Sequence, residues 1–166
     1  MLAKAAGAVT IVTSSSDEKL RRVQETYGAD HVINYKTNPE WSEEVLKITD
    51  GVGADFIVEN GGAGTIAQSL NATRYGGIVA LVGFLAPCPQ DKMPDVAGIA
   101  LRKGIVVRGV RVGSKQLLED VTRFVTAKKL ELPVDREFGF SREEVVAAFE
   151  YLGSGQHVGK ICINVS

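Results

Sequence analysis

Residues 8–34 read AVTIVTSSSDEKLRRVQETYGADHVIN, and the fold is decided by this stretch. Ala8 to Thr13 is a continuous run of small and β-branched apolar residues, as expected of a strand covered on both faces. Ser14-Ser15-Ser16-Asp17-Glu18 supplies a helix start, with Ser15 and Glu18 at capping-box spacing. Leu20, Val23 and Tyr27 fall on one helical face, and Gly28 marks the stop. His31 to Asn34 (HVIN) predicts a second, short strand. A strand, a helix and a strand in so short a span predict a parallel pair joined by a crossover helix.

The alternation continues outward. Asn38-Pro39 predicts a helix with proline at its first position and Trp41, Val45 and Ile48 turned inward, ended by Asp50-Gly51. Ala54 to Glu59 predicts a strand, Thr65 to Thr73 a helix and Gly77 to Gly83 a strand. A loop with Pro87, Pro89 and Pro94 leads into a short helix ending near Lys103. Ile105 to Val112 predicts another strand, and Ser114 to Lys129 an amphipathic helix through Leu117, Val121, Phe124 and Val125. Ser141 and Glu144 make a second capping box, opening a helix through Val145, Phe149 and Leu152. Gly159 to Val165 predicts a terminal strand. The expectation is one α/β domain over residues 1–166, with a mostly parallel sheet and helices on both faces.

Composition narrows the function classes. The chain has 166 residues, 45% hydrophobic and 23% charged, with 19 basic against 20 acidic side chains and a net charge of -1. That is enough chain to bury a core, and too little excess charge for a nucleic-acid or anionic-membrane footprint. No apolar run approaches the roughly 20 residues of a membrane span, and the N-terminus lacks a signal-peptide pattern, so a cytoplasmic location is expected. Two cysteines, Cys88 and Cys162, exclude a disulfide framework and a four-cysteine zinc site. His31 and His157 stand alone, so no metal ligands are expected.

The segments VTIVTSSSDEKL, GADHVINYK, VENGGAGTIAQSL, GGIVALVG, VRGVRVGS and HVGKICINV resemble, in order, the medium-chain dehydrogenase/reductase superfamily. The resemblance is to its zinc-type, NAD(P)-dependent alcohol dehydrogenases. It implies a Rossmann-like sheet, truncated or rearranged, and covers only the C-terminal nucleotide-binding part. Leu2 to Ala6, with Gly7 as C-cap, look like the end of the helix after the first Rossmann strand. That strand, its glycine-rich phosphate loop and the zinc-bearing catalytic domain are expected to be missing, and with them any zinc. In the complete fold the lost strand is central, so Ala8–Thr13 and Ala54–Asn60 are expected to face a gap. Three repairs are open: direct closure, a strand from a partner chain, or insertion of Gly159–Val165. A homo-oligomer is expected, formed in that way or by edge pairing of Ile105–Val112.

The resemblance also places a site at the carboxyl ends of the strands, where a small molecule is the expected partner. Ser14, Ser15, Lys19 and Tyr35 would form an NADP-type pocket, because hydroxyls and a cation suit a 2′-phosphate. Alternatively, Ser15 only caps the helix. Gly62-Ala63-Gly64-Thr65-Ile66-Ala67 matches G-x-G-x-x-A, read as a tight glycine turn that is also the remaining candidate anion cradle. It adjoins Asn60 and Gly61. Val82, Gly83 and Phe84, with Val112 and Gly113, resemble the segments flanking a nicotinamide, or are ordinary turns. Glu59 is a candidate acid or base with a raised pKa, or a salt-bridge partner of Arg or Lys. No catalytic residue is assigned. Three functions stay open: an oxidoreductase by descent with a residual, weak NADP(H) site; a non-redox enzyme of isomerisation, dehydration or cyclisation in the strand-end pocket; or a non-catalytic binding or scaffold module.

Overall fold

The computed structural model describes residues 1–86 and 88–165, so Pro87 of the proline loop lies outside the described residues. A short helix, α1 (Leu2–Ala5), leads into β1 (Ile11–Ser14), α2 (Asp17–Tyr27) and β2 (His31–Asn34). Then follow α3 (Trp41–Ile48), β3 (Ala54–Glu59), α4 (Ile66–Ala72), β4 (Thr73–Leu81), α5 (Val96–Lys103) and β5 (Val106–Gly109). The chain closes with α6 (Lys115–Ala127), β6 (Val134–Phe138), α7 (Arg142–Ser154) and β7 (Lys160–Ile163). Every pairing among the described residues is parallel, in three separate sheets: β1-β2, β3-β4-β5 and β6-β7. No helix is long and apolar enough to cross a membrane.

Strand alternation explains how the first two sheets are covered. Ile11 and Ile33 point to one face, where Trp41 and Val45 of α3 meet them in a core shared with Ala54 and Ile57 of β3. Asn34 points to the other face and donates to Asp17 of α2 at 2.7 Å. The β1-β2 pair therefore lies between two helices. In the three-stranded sheet, Ile57, Val79, Leu81 and Val107 pack with Ile66 and Leu70 of α4 and Val96 and Ile99 of α5. Lys103 adds its ammonium to the last carbonyls of α4, Leu70 at 3.0 Å and Asn71 at 2.8 Å. The opposite face carries Phe56, Val58 and Val106, all exposed. Helices thus cover one face of this sheet.

Several expected boundaries move, each for a local reason. β1 extends to Ser14, so Ser16 rather than Ser15 is the N-cap of α2, its Oγ accepting the Lys19 N–H at 3.3 Å. Asn38 folds back on the Asn34 carbonyl through its N–H at 2.9 Å and Nδ2 at 3.2 Å, which keeps Pro39 in a turn ahead of α3. Thr73 begins β4 rather than ending the preceding helix, and β5 stops at Gly109 instead of Val112. Ser141 caps α7 as expected, accepting the Glu144 N–H at 3.2 Å, while the Glu144 carboxylate turns to the Gly139 N–H. Two of the three repairs are overturned: β1 and β3 lie in separate sheets, and β7 pairs with β6, a strand not anticipated in Val134–Phe138.

Asp30 ties α1 to β1. Its Oδ1 accepts from the Lys4 ammonium at 2.7 Å, and its Oδ2 from the Thr10 N–H at 2.7 Å and hydroxyl at 3.0 Å. The Lys4 hydrogen bond first, then the Thr10 amide, hold the carboxyl down at about 2, against an ordinary 3.8. A carboxyl lowered on folding stabilises above its unfolded pKa and loses that contribution as pH falls through the folded one. Stability owed to Asp30 is therefore expected to decline from about pH 3.8 to about pH 2. Asp30→Asn is expected to flatten this limb when urea midpoints are measured against pH.

The two faces of the three-stranded sheet make a sharper contrast. Leu70 is fully buried, and Leu70→Ala is expected to cost about 2–5 kcal/mol in urea denaturation. Phe56 is 73% exposed, and Phe56→Ala is expected to cost about 0.5 kcal/mol or less in the same measurement.

Candidate functional site

The carboxyl ends of the parallel strands form two rims. At the first, the register sets Ser14 opposite Asn34, and the next amide, that of Tyr35, donates to the Ser14 carbonyl at 3.0 Å. The Ser14 hydroxyl accepts the Ser16 N–H at 3.4 Å. Ser14, Ser15 and Tyr35 are thereby brought to one strand end, with Ser14 and Ser15 half-buried and Tyr35 exposed. Asn34 was not anticipated as a contributor. Its buried amide bonds Asp17 and its Oδ1 accepts the Lys36 N–H at 2.9 Å, so it fixes the turn that carries Tyr35. A polar residue ending a short strand is its only sequence signal. Lys19 begins in the first turn of α2, but its ammonium reaches away, to the carbonyls of Gly155 and, at 3.1 Å, His157.

At the second rim, Glu59 ends β3 with only 3% of its surface exposed. Its Oε1 accepts from the Gly61 N–H at 2.7 Å, the Gly62 N–H at 2.9 Å and the Thr65 hydroxyl at 2.6 Å. Its Oε2 accepts from the Ser69 hydroxyl. The expected salt bridge is overturned, because among the described residues these partners are amides and hydroxyls. The G-x-G-x-x-A segment, which forms a 3₁₀ turn over Gly62–Gly64, is therefore closed on an anion of its own. Its role as a tight glycine turn follows, and its Gly61 and Gly62 amides are not turned to an external phosphate.

Backbone bonds then zip this turn to the exit of β4. The Glu59 carbonyl accepts from Val82 at 2.9 Å and Gly83 at 3.3 Å, Asn60 accepts from Leu85 at 3.2 Å, and Gly61 accepts from Ala86 at 2.6 Å. Gly62 has φ +79°, and a Cβ there would lie 2.4 Å from the Phe84 ring. Asn60, Gly61, Gly62, Val82, Gly83 and Phe84 thus form one wall. Val112 and Gly113 are exposed in the segment after β5, which is joined to the end of β4 where the Val110 N–H donates to the Leu81 carbonyl at 2.8 Å.

With this geometry in view, comparison with known proteins assigns the family. The family model for zinc-binding dehydrogenases matches residues 1–127. The chain belongs to the zinc-binding dehydrogenase family. It is similar to a zinc-type alcohol dehydrogenase-like protein of Schizosaccharomyces pombe, 37% identical over 98% of this chain and 46% of the relative. An L-threonine 3-dehydrogenase of Thermococcus kodakarensis is 31% identical over 96% of this chain and 45% of its own length. A solved Sinorhizobium meliloti structure assigned as an alcohol dehydrogenase superposes with a TM-score of 0.84 at 36% identity, over 99% of this chain and 46% of that one. The chain therefore spans just under half the length of these dehydrogenases and corresponds to their Rossmann-like C-terminal part. Among the described residues no three His, Cys, Asp or Glu side chains converge to hold a metal ion.

Glu59 is the structural keystone of the second rim, and its replacement tests that directly. Glu59→Leu strands four donors in a buried shell, and an expected loss of about 3 kcal/mol or more follows from about 1–3 kcal/mol per unsatisfied group. Glu59→Gln keeps an oxygen for the shared donors and is expected to lose about half as much or less. Urea denaturation and amide exchange at Gly61 and Gly62 check both variants.

Proposed function

We propose that residues 1–166 hold the adenosine-phosphate end of NADP(H) for an alcohol-dehydrogenase-type oxidoreductase. The observation that carries this is the first rim: Ser14 and Ser15 at the end of β1, the Tyr35 amide bonded to Ser14, and Lys19 in the first turn of the next helix. An NAD-type site places a carboxylate at the end of this strand to bind the ribose 2′-hydroxyl. Here the strand ends in serine, and the nearby Asp17 carboxylate is engaged by Asn34. Hydroxyl donors, with the Lys19 cation in the first turn of the next helix, suit a phosphate instead.

The fit is partial, and that sets the strength of binding. The pyrophosphate of a dinucleotide rests on amides at a helix start after a strand. The one turn of that description at the second rim gives its Gly61 and Gly62 amides to Glu59. Affinity then comes from the 2′-phosphate and from contact with the wall around Gly83 and Phe84. When bound, the nicotinamide supplies hydride transfer; residues 1–166 supply phosphate selection and a rigid wall. Their relatives carry out the reaction with more than twice this length of chain, and hydride transfer is assigned to that larger assembly.

A fluorescence titration tests the reading. NADPH is expected to bind more tightly than NADH, and Lys19→Ala to weaken NADPH about tenfold, the scale of one charge-assisted contact, while leaving NADH unchanged. Added salt is expected to weaken NADPH preferentially. Equal losses for both cofactors, or no NADPH binding at millimolar concentration, refute the assignment.

A further inference from the structure

Lys19 has two claims on one ammonium. In the structure it serves the end of α7, donating to the carbonyls of Gly155 and, at 3.1 Å, His157. Gly155 is the left-handed C-cap of α7, with φ 64°, so the ammonium lies at the negative end of that helix. Three residues further along α2, Arg22 reaches Asp135 of β6 at 2.5 Å. The Asp135 side chain is 3% exposed and also accepts from the Tyr151 hydroxyl of α7 at 2.7 Å. The C-terminal unit of β6, α7 and β7 is thus moored to α2 by two cations on one helical face. One mooring is an ion pair whose carboxylate is buried. The other is a cation on neutral carbonyls, a weaker hold than an ion pair in which the acceptor is a phosphate dianion.

We propose that Lys19 is a shared cation: a 2′-phosphate bound at Ser14–Ser16 withdraws it from α7, and the C-terminal unit loosens at Gly155–Gly159 while Arg22 and Asp135 hold. This rests on the cofactor reading above and adds a coupling to it. Binding at the first rim is then transmitted to the C-terminal unit through one side chain, with β6 acting as the pivot.

Hydrogen–deuterium exchange on the whole chain tests the coupling, with adenosine 2′,5′-bisphosphate as probe and 5′-AMP as control. Amide shifts of Ser14–Ser16 by NMR report binding independently. The bisphosphate is expected to speed exchange at Gly155–Gly159 roughly two- to fivefold, the scale of a charge at a helix end, and leave Val134–Phe138 unchanged. 5′-AMP is expected to leave both segments unchanged. Lys19→Ala is expected to exchange fast at Gly155–Gly159 without ligand and to show no further response. Bisphosphate binding with unchanged exchange there overturns the shared cation while the cofactor reading stands. Exchange at Gly155–Gly159 in Lys19→Ala that stays at the unliganded wild-type rate overturns it as well. Absence of bisphosphate binding at Ser14–Ser16 overturns both.

Discussion

A buried carboxylate must find donors, and the second rim is organised around that requirement at Glu59. The chain turns at once after β3, so that two successive amides point back to one oxygen. Thr65 and Ser69 follow four residues apart, one helical turn, and place their hydroxyls on the same side of α4. The Glu59 carbonyl meanwhile takes the amides leaving β4. One residue thereby fixes the end of β3, the start of α4 and the exit of β4. The functional consequence is a wall rather than a cradle: a Gly-rich turn whose anion is built in offers shape, not charge, to a ligand.

This also marks how far the sequence can be read. A G-x-G-x-x-A turn needs the same backbone whether its anion is a bound phosphate or a side chain, so spacing alone does not separate the two. What separates them is Glu59, whose partners become visible only when Thr65 and Ser69 are placed in space. By contrast, His31–Asn34 and Ala54–Glu59 are legible to the residue, being short apolar runs bounded by glycine and polar residues. So is the helix stop at Gly28, which needs a left-handed conformation. β6 escaped notice because Asp135, Arg136 and Glu137 mask its alternation; their reasons are long-range, Asp135 serving Arg22 and Arg136 lying over the Phe138 ring. Lys19 was legible as a cation near a hydroxyl cluster. Its hold on α7 depends on residues more than a hundred positions away.

The two rims are each built within residues 1–166, and their relation is set by the core that their strands share. β1 and β3 contribute to one core beneath α3, yet lie in separate sheets. α1 and α2 lie together, with Met1, Lys4 and Ala5 lining one cleft with Thr26 and Tyr27. The β1-β2 sheet is covered by α2 on one face and α3 on the other, and the β3-β4-β5 sheet by α4 and α5 on one face. Phe56 and Val58 share the face opposite α4 and are each 73% exposed. Ile11, Ile33, Ala54 and Ile57 meet around Trp41 and Val45, so the two sheets are joined by side-chain packing and not by a common hydrogen-bond ladder. Ser14 at one rim and Glu59 at the other are therefore placed relative to each other by the packing of that core.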